Sequence, residues 1–186
     1  VTECSFCPKT QNEEGASHDA TNGGQARAIV SVDVITEIAI DRPIDVVSRY
    51  AADPSNAPEW YVNIDSVECK TPPPLAIGSK LAFVAHFLGR RLAYTYEIVE
   101  LVAGERLVMR TAEGPFPMET TYEWAPIGPG GTRMKLRNRG QPSGFSKLVA
   151  PMMEAAMRRA NRKDLARLKQ LLERPDARSE EPTATR

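Results

Sequence analysis

The sequence predicts an α+β domain: a first strand, two short helices, a six-stranded antiparallel meander and a long C-terminal helix. Three observations predict it. After Trp60 apolar residues alternate with period two for roughly eighty residues, the mark of successive half-buried strands. Turns as short as "GR" and "AGE" separate the runs, and connections that short favour antiparallel neighbours. Helical periodicity of 3.6 brackets the meander on both sides.

The elements follow in order from "IAIDRPIDVVSRYAADPSNAPEW", Ile38 to Trp60. Ile38 and Ile40 alternate against Ala39 as in a strand. Pro43 suits the first helical position, where its missing N–H costs nothing. Ile44, Val47, Tyr50 and Ala51 then fall three or four apart on one helical face. Asp53-Pro54 restarts the signal as cap and first position of a shorter helix, which ends at the aromatic pair Trp60-Tyr61. Strands are expected at Ile64–Lys70, Ser79–Leu88, Arg91–Leu101, Arg106–Ala112, Met118–Ala125 and Thr132–Asn138. The long helix is expected from Phe145 to Glu173, with Pro151 marking a bend or a new start.

Composition bounds the rest. The 186 residues suit a single domain, and 41% apolar with 26% charged residues is ordinary for a globular protein. Polar, aperiodic tails are expected at 1–28 and 174–186, leaving a folded unit at 29–173. The formal net charge of zero supplies no global field to gather nucleic acid, and no apolar run is long enough to span a bilayer. Without a basic-then-apolar leader, a cytoplasmic protein is expected. Three cysteines make no disulfide framework; Cys4 and Cys7 form one C-x-x-C without a second pair, so no metal site is assigned.

Strand parity assigns the faces. Leu81, Phe83, Ala85 and Phe87 point inward, as do Leu92, Tyr94, Tyr96 and Ile98 on the next strand. Leu107, Met109 and Thr111 continue that face, then Met118, Thr120, Tyr122 and Trp124, then Met134, Leu136 and Asn138. The outer face tests this assignment independently. Arg106 and Arg110, Glu119 and Glu123, and Arg133, Lys135, Arg137 and Arg139 alternate in sign from strand to strand, so a meander makes opposite charges cross-strand neighbours. The basic stripe on the last strand thus reads as a solvated face paired with glutamates.

This order of elements resembles the helix-grip fold of the SRPBCC superfamily, which includes START domains and the birch-pollen allergens. Three segments look like its bacterial polyketide cyclase/dehydrase-type branch: "RPIDVVSRYAADPSNAPEW", "YTYEIVELVAGERLVMRTAEGPFPMETTYEW", continued by "GGTRMKL", and "GFSKLVAPMMEAAMRRANRKDLARLKQLLE". The resemblance implies a curved sheet wrapped around the long helix, short helices plugging one end with Trp60 at the seam, and an apolar ligand held between sheet and helix.

The sheet-facing candidates on that helix are Leu148, Met152, Met153, Ala156 and Ala160, then Leu165, Leu168, Leu171 and Leu172. Small alanines opposite large aromatics mean either a filled, interdigitated core or an unfilled groove with pliable methionines. With the implied cavity, the ligand-facing set is Phe83, Phe87, Tyr94, Tyr96, Met109, Tyr122, Trp124, Asn138, Met152, Met153 and Ala156. Buried tyrosine hydroxyls need partners, which a ligand bearing one or two oxygens, ordered water or one another would supply. The "EGPFP" turn, Glu113 to Pro117, reads either as a gate tipped by Phe116 or as a rigid hairpin turn.

The function expected is binding of a small, largely apolar molecule, lipid or polyketide-like, without a cofactor. The alternative is a polyketide cyclase/dehydratase-type enzyme. For that reading acids on the inner face look scarce, His18 lies in the tail and His86 on the outer face, so no catalytic residue is assigned. A third class is interaction with a weak acidic partner. Arg158, Arg159, Arg162, Lys163, Arg167 and Lys169 give the last helix a basic outer side, relieved only by Asp164.

Overall fold

A computed structural model describes residues 31–87, 89–141 and 150–174. Most of both expected tails, with Cys4, Cys7 and His18, lies outside the described residues, as do Leu148 and the expected helix start at Phe145.

Strand β1 (Val32–Ile40) leads into helix α1 (Ile44–Ala52). Pro43 stands one position before the helix; its carbonyl accepts from Val46 and Val47 N–H at 3.1 Å and closes the first turn. Asp53 caps the restart, accepting from Ser55 N–H at 2.9 Å, and a 3-10 turn (Pro54–Asn56) runs into α2 (Ala57–Trp60). Six strands follow: β2 (Ile64–Cys69), β3 (Lys80–Phe87), β4 (Arg90–Val102), β5 (Arg106–Glu113), β6 (Met118–Ile127) and β7 (Gly131–Gly140). Helix α3 (Ala150–Leu172) closes the fold; the segment that would show a bend or a new start before Pro151 lies outside the described residues.

All seven strands form one antiparallel sheet in the order β1-β7-β6-β5-β4-β3-β2: the meander, closed by β1 returning to pair with β7. The register shifts between Ile98 and Glu100, where Val99 is an extra residue opposite β5, and again at Thr95/Tyr96. Bulges of this kind bend a strand and sharpen its twist, which curves the sheet toward α3.

The inner face matches strand parity. Leu81, Phe83, Tyr96, Ile98, Leu107, Met109, Tyr122, Trp124, Met134 and Leu136 join one core with Leu165, Leu168 and Leu172 of α3. Trp60 is wholly buried at the seam, stacked on Tyr61 at 3.9 Å and edge-on to Tyr122. On the convex face Arg110 meets Glu119 at 2.7 Å and Lys135 meets Glu123 at 2.8 Å; Arg106 also pairs with Glu123, and Arg139 with Glu119. Arg137 departs from the expected glutamate pairing and binds Asp33 of β1, Nε to Oδ1 at 2.8 Å.

The phase of α3 differs from expectation. Its inward line is Met153, Met157, Asn161, Asp164, Leu168 and Leu172, spaced by three or four residues. Met152, one residue off that line, is 62% exposed. Asp164 is buried, where the sequence had suggested the outer side. Arg158 and Lys169 also leave the outer side: they donate to the carbonyls of Ile35 (3.4 Å) and Ala39 (2.6 Å) and tie the helix to β1. No helix among the described residues is long and apolar enough to cross a membrane.

Candidate functional site: a polar-ended cavity under the long helix

Between the concave face and α3 lies a cavity of about 160 Å³. Its walls are apolar: Val32, Ile64, Phe83, Phe87, Leu92 and Met109, with Met118 from β6 and Met153 and Met157 from α3. Phe83 and Tyr94 stack at 5.4 Å, giving a flat aromatic surface. Phe116, at the tip of the β5–β6 hairpin, also reaches the wall. That hairpin is pinned: Thr111 Oγ1 accepts from Met118 N–H at 2.9 Å and donates to Met118 C=O at 3.2 Å. Its turn rests on β4, where a Cβ on Gly114 would stand 3.0 Å from Tyr94 Cβ, so only glycine fits without displacement.

Of the expected ligand-facing set, Phe83, Phe87, Tyr94, Tyr96, Met109, Tyr122, Asn138 and Met153 line this cavity. Three do not. Trp124 packs in the core beyond Tyr122, Met152 points to solvent, and Ala156 is off the inward line, where Met157 and Ala160 stand instead. His86 keeps its outward side chain, Nδ1 2.9 Å from Asp65, although it borders the cavity rim.

Toward the interior the lining turns polar. Thr120 Oγ1 donates to Asn138 Oδ1 at 2.8 Å, which spends its single proton. The Tyr96 hydroxyl, 3.0 Å away, must then donate to Thr120. Asn138 Nδ2 donates onward to Asn161 Oδ1 at 3.1 Å. The chain therefore runs from Tyr96 through Thr120 and Asn138 to Asn161, each link polarising the next. It ends on Asn161 Nδ2, buried and without an acceptor. The Tyr61 and Tyr122 hydroxyls bond each other at 2.6 Å, and Tyr94 OH has no partner among the described residues.

One turn beyond Asn161, Asp164 is 3% exposed and accepts from Val62 N–H at 2.9 Å. Its second oxygen takes no bond from a described residue. Burial pushes its carboxyl up to about 6, against the opposing pull of the Val62 N–H and the Lys163 charge. Burial also holds the tyrosines neutral: Tyr96 is pushed up to about 12, and Tyr61, Tyr94 and Tyr122 are raised as well. The site thus combines neutral tyrosine hydroxyls with one buried carboxyl raised to about 6. Sequence reasoning missed Asn161 and Asp164 because it ranked helix positions by apolarity. Their spacing from Met153, Met157 and Leu168 was the available signal.

An antiparallel sheet gripping a C-terminal helix around an apolar, polar-ended cavity defines a helix-grip protein of the START-like class. The chain belongs to the family described as "Polyketide cyclase / dehydrase and lipid transport", whose sequence pattern matches residues 31–173. The fold is similar to that of a protein from Thermus thermophilus (22% identity, 74% of this chain and 94% of that one, TM-score 0.66). It is similar also to the Zhui aromatase/cyclase from Streptomyces sp. R1128 (17%, 81% and 98%, TM-score 0.67). A START superfamily protein from Mycobacterium smegmatis aligns at 14% identity, over 75% of this chain and 98% of that one, with TM-score 0.65. None of the curated proteins matches the chain.

Proposed function

We propose that this protein binds a small, largely apolar molecule of about one ring, carrying one or two oxygens, between the sheet and α3. The observation that carries this reading is the apolar cavity itself, walled by Phe83, Phe87, Leu92, Met109 and Met153 between the sheet and α3. A filled core leaves no such space. A cavity of about 160 Å³ is close to the roughly 150 Å³ that holds benzene in an engineered protein. A longer lipid or polyketide-like chain enters only if Met109, Met118, Met153 and Met157 shift, and methionine adapts more readily than other apolar residues.

Ala160→Phe tests the site. Its ring would enter the space left for the ligand, so the melting temperature should hold or rise while binding of toluene or an environment-sensitive apolar dye disappears. Overpacking of a filled core would instead cost about 1–3 kcal/mol. That outcome, with no apolar probe bound by the parent protein, would sink the reading.

Catalysis of the cyclase/dehydratase type is the second reading, and Asp164 is the observation that favours it. A buried carboxyl titrating near 6 on the cavity wall is suited to take the proton beside a carbonyl of a bound substrate. A neutral tyrosine then protonates the departing hydroxyl, which leaves as water. Turnover abolished in Asp164→Asn with binding retained would establish it.

A weak acidic partner is proposed for the outer side of α3. Arg159, Arg162, Lys163 and Arg167 are exposed and make no ion pair among the described residues, unlike most cations of the convex face. Association lost on charge reversal at Arg159 and Arg162, and weakened by salt, would support it.

A further inference from the structure

Folding sorts the charges of α3. Asp164 is buried, Glu173 pairs with Lys169, and Arg158 and Lys169 donate to carbonyls of β1. Every exposed charge left on the helix is a cation: Arg159, Arg162, Lys163 and Arg167. We propose that this stripe is the docking face for the chain's own acidic segment 10–26, which lies along it and screens it from other anions. The proposal rests on the acidic-partner reading above and names that partner.

The four cations recur three or four residues apart, so they share one side of the helix. Like charges at that spacing oppose the helix, and an anionic segment laid along them offsets the repulsion. The other exposed residues on that side are Ala155, Ala166 and Gln170, so the face offers charge without an apolar anchor or an aromatic ring to stack a base. Exposed ion pairs are individually weak, and a free acidic peptide held by them alone dissociates readily. A segment tethered to the same chain is present at an effective concentration of roughly millimolar order, so the same weak pairs suffice.

Residues 10–26 carry Glu13, Glu14 and Asp19 and neither lysine nor arginine. Residues 175–186 also hold carboxylates, but there Arg178 stands between Asp176 and Glu180 and offsets them. The attachment point favours the first segment. Val32, at the start of β1, packs with Met153 of α3. Arg158 reaches Ile35 and Lys169 reaches Ala39, so strand and helix run side by side in one direction. The chain preceding Val32 therefore joins the fold beside the first turns of α3. Residues 20–30 span at most roughly 35 Å when extended, and Met153 to Arg167 measures about 21 Å along the helix. Asp19 and the two glutamates before it thus have the reach for every cation of the stripe.

The test is zero-length carbodiimide coupling of the dilute full chain at pH 7 in low salt, read by mass spectrometry of the monomeric product after proteolysis. Lys163 is the lysine of the exposed stripe, so the expected product is an amide between its Nζ and Glu13, Glu14 or Asp19, lost in about 0.5 M salt. Coupling of Lys163 to Glu180 or Glu181 instead, coupling only between two chains, or no coupling at Lys163 would overturn the proposal. A second arm titrates heparin, a defined polyanion, at about 50 mM salt. Glu13→Gln, Glu14→Gln and Asp19→Asn together, in the full chain, should tighten heparin binding about tenfold, and adding Arg159→Glu and Arg162→Glu should erase the gain. Equal heparin affinity in the parent and the triple variant would overturn the proposal while leaving the face open to another acidic partner. Heparin binding by neither would overturn the acidic-partner reading and this proposal with it.

Discussion

Replacing Asp164 with asparagine should stabilise the protein at neutral pH and not at acid pH. The carboxyl is 3% exposed, and burial raises it from an ordinary 3.8 to about 6. In the folded chain it therefore holds its proton more tightly than in the unfolded one. Its contribution to stability is fully present below about pH 4 and is lost as pH rises through about 6. At about 1.4 kcal/mol per pH unit, the gap amounts to at most about 3 kcal/mol opposing the fold above pH 7. Asparagine is neutral throughout, is nearly the same shape, and can still accept the Val62 N–H through Oδ1. A gain of about 1–3 kcal/mol at pH 7.5 corresponds to a rise of roughly 3–10 °C for a chain of this size. Calorimetric melts of parent and variant at pH 4.0 and 7.5 measure it, and the difference between the two proteins cancels the other carboxylates. An advantage equal at both pH values, or a loss at pH 7.5, would refute the reasoning. A gain in stability accompanied by lost binding of an apolar probe or lost turnover would mark Asp164 as a residue retained for function at the expense of stability.

Glu119 should show the opposite pH dependence. Burial raises its carboxyl, but the hydrogen bonds and charges of Arg139 and Arg110 outweigh that and lower it overall. Its stabilisation is therefore present above the ordinary carboxylate range and lost as pH falls through its lowered value. Glu119→Gln should cost about 1 kcal/mol at pH 7 and close to nothing near pH 2, read by urea titration at the two pH values. Trp60→Ala should cost about 3–5 kcal/mol, because the ring is wholly buried against Tyr61 and Tyr122 where three elements meet. A loss below about 1 kcal/mol in the same titration would mean that the seam collapses around the cavity.

The sequence by itself determined the order of elements, the meander and the two faces of each strand. These follow from local periodicity: alternation places Phe83, Tyr96 and Tyr122 inward whatever the strands pack against, and the alternating charges of Arg110, Glu119 and Arg139 confirm it. It determined the restart at Asp53-Pro54 for the same reason, since a cap is made within two residues. Only the tertiary structure decided the phase of α3, the extra residue at Val99 that bends the sheet, and the polar end of the cavity. A helix can be rotated by one residue at little cost in apolar pattern, and Met152 and Met153 are equal candidates until the sheet selects one. Asn161 and Asp164 look like solvent residues in a basic helix. Their burial depends on Asn138, 23 residues away in the chain, and on Val62, 102 residues away. Whether a polar side chain faces water or a cavity is decided by the partners that folding brings to it, and no local period encodes them.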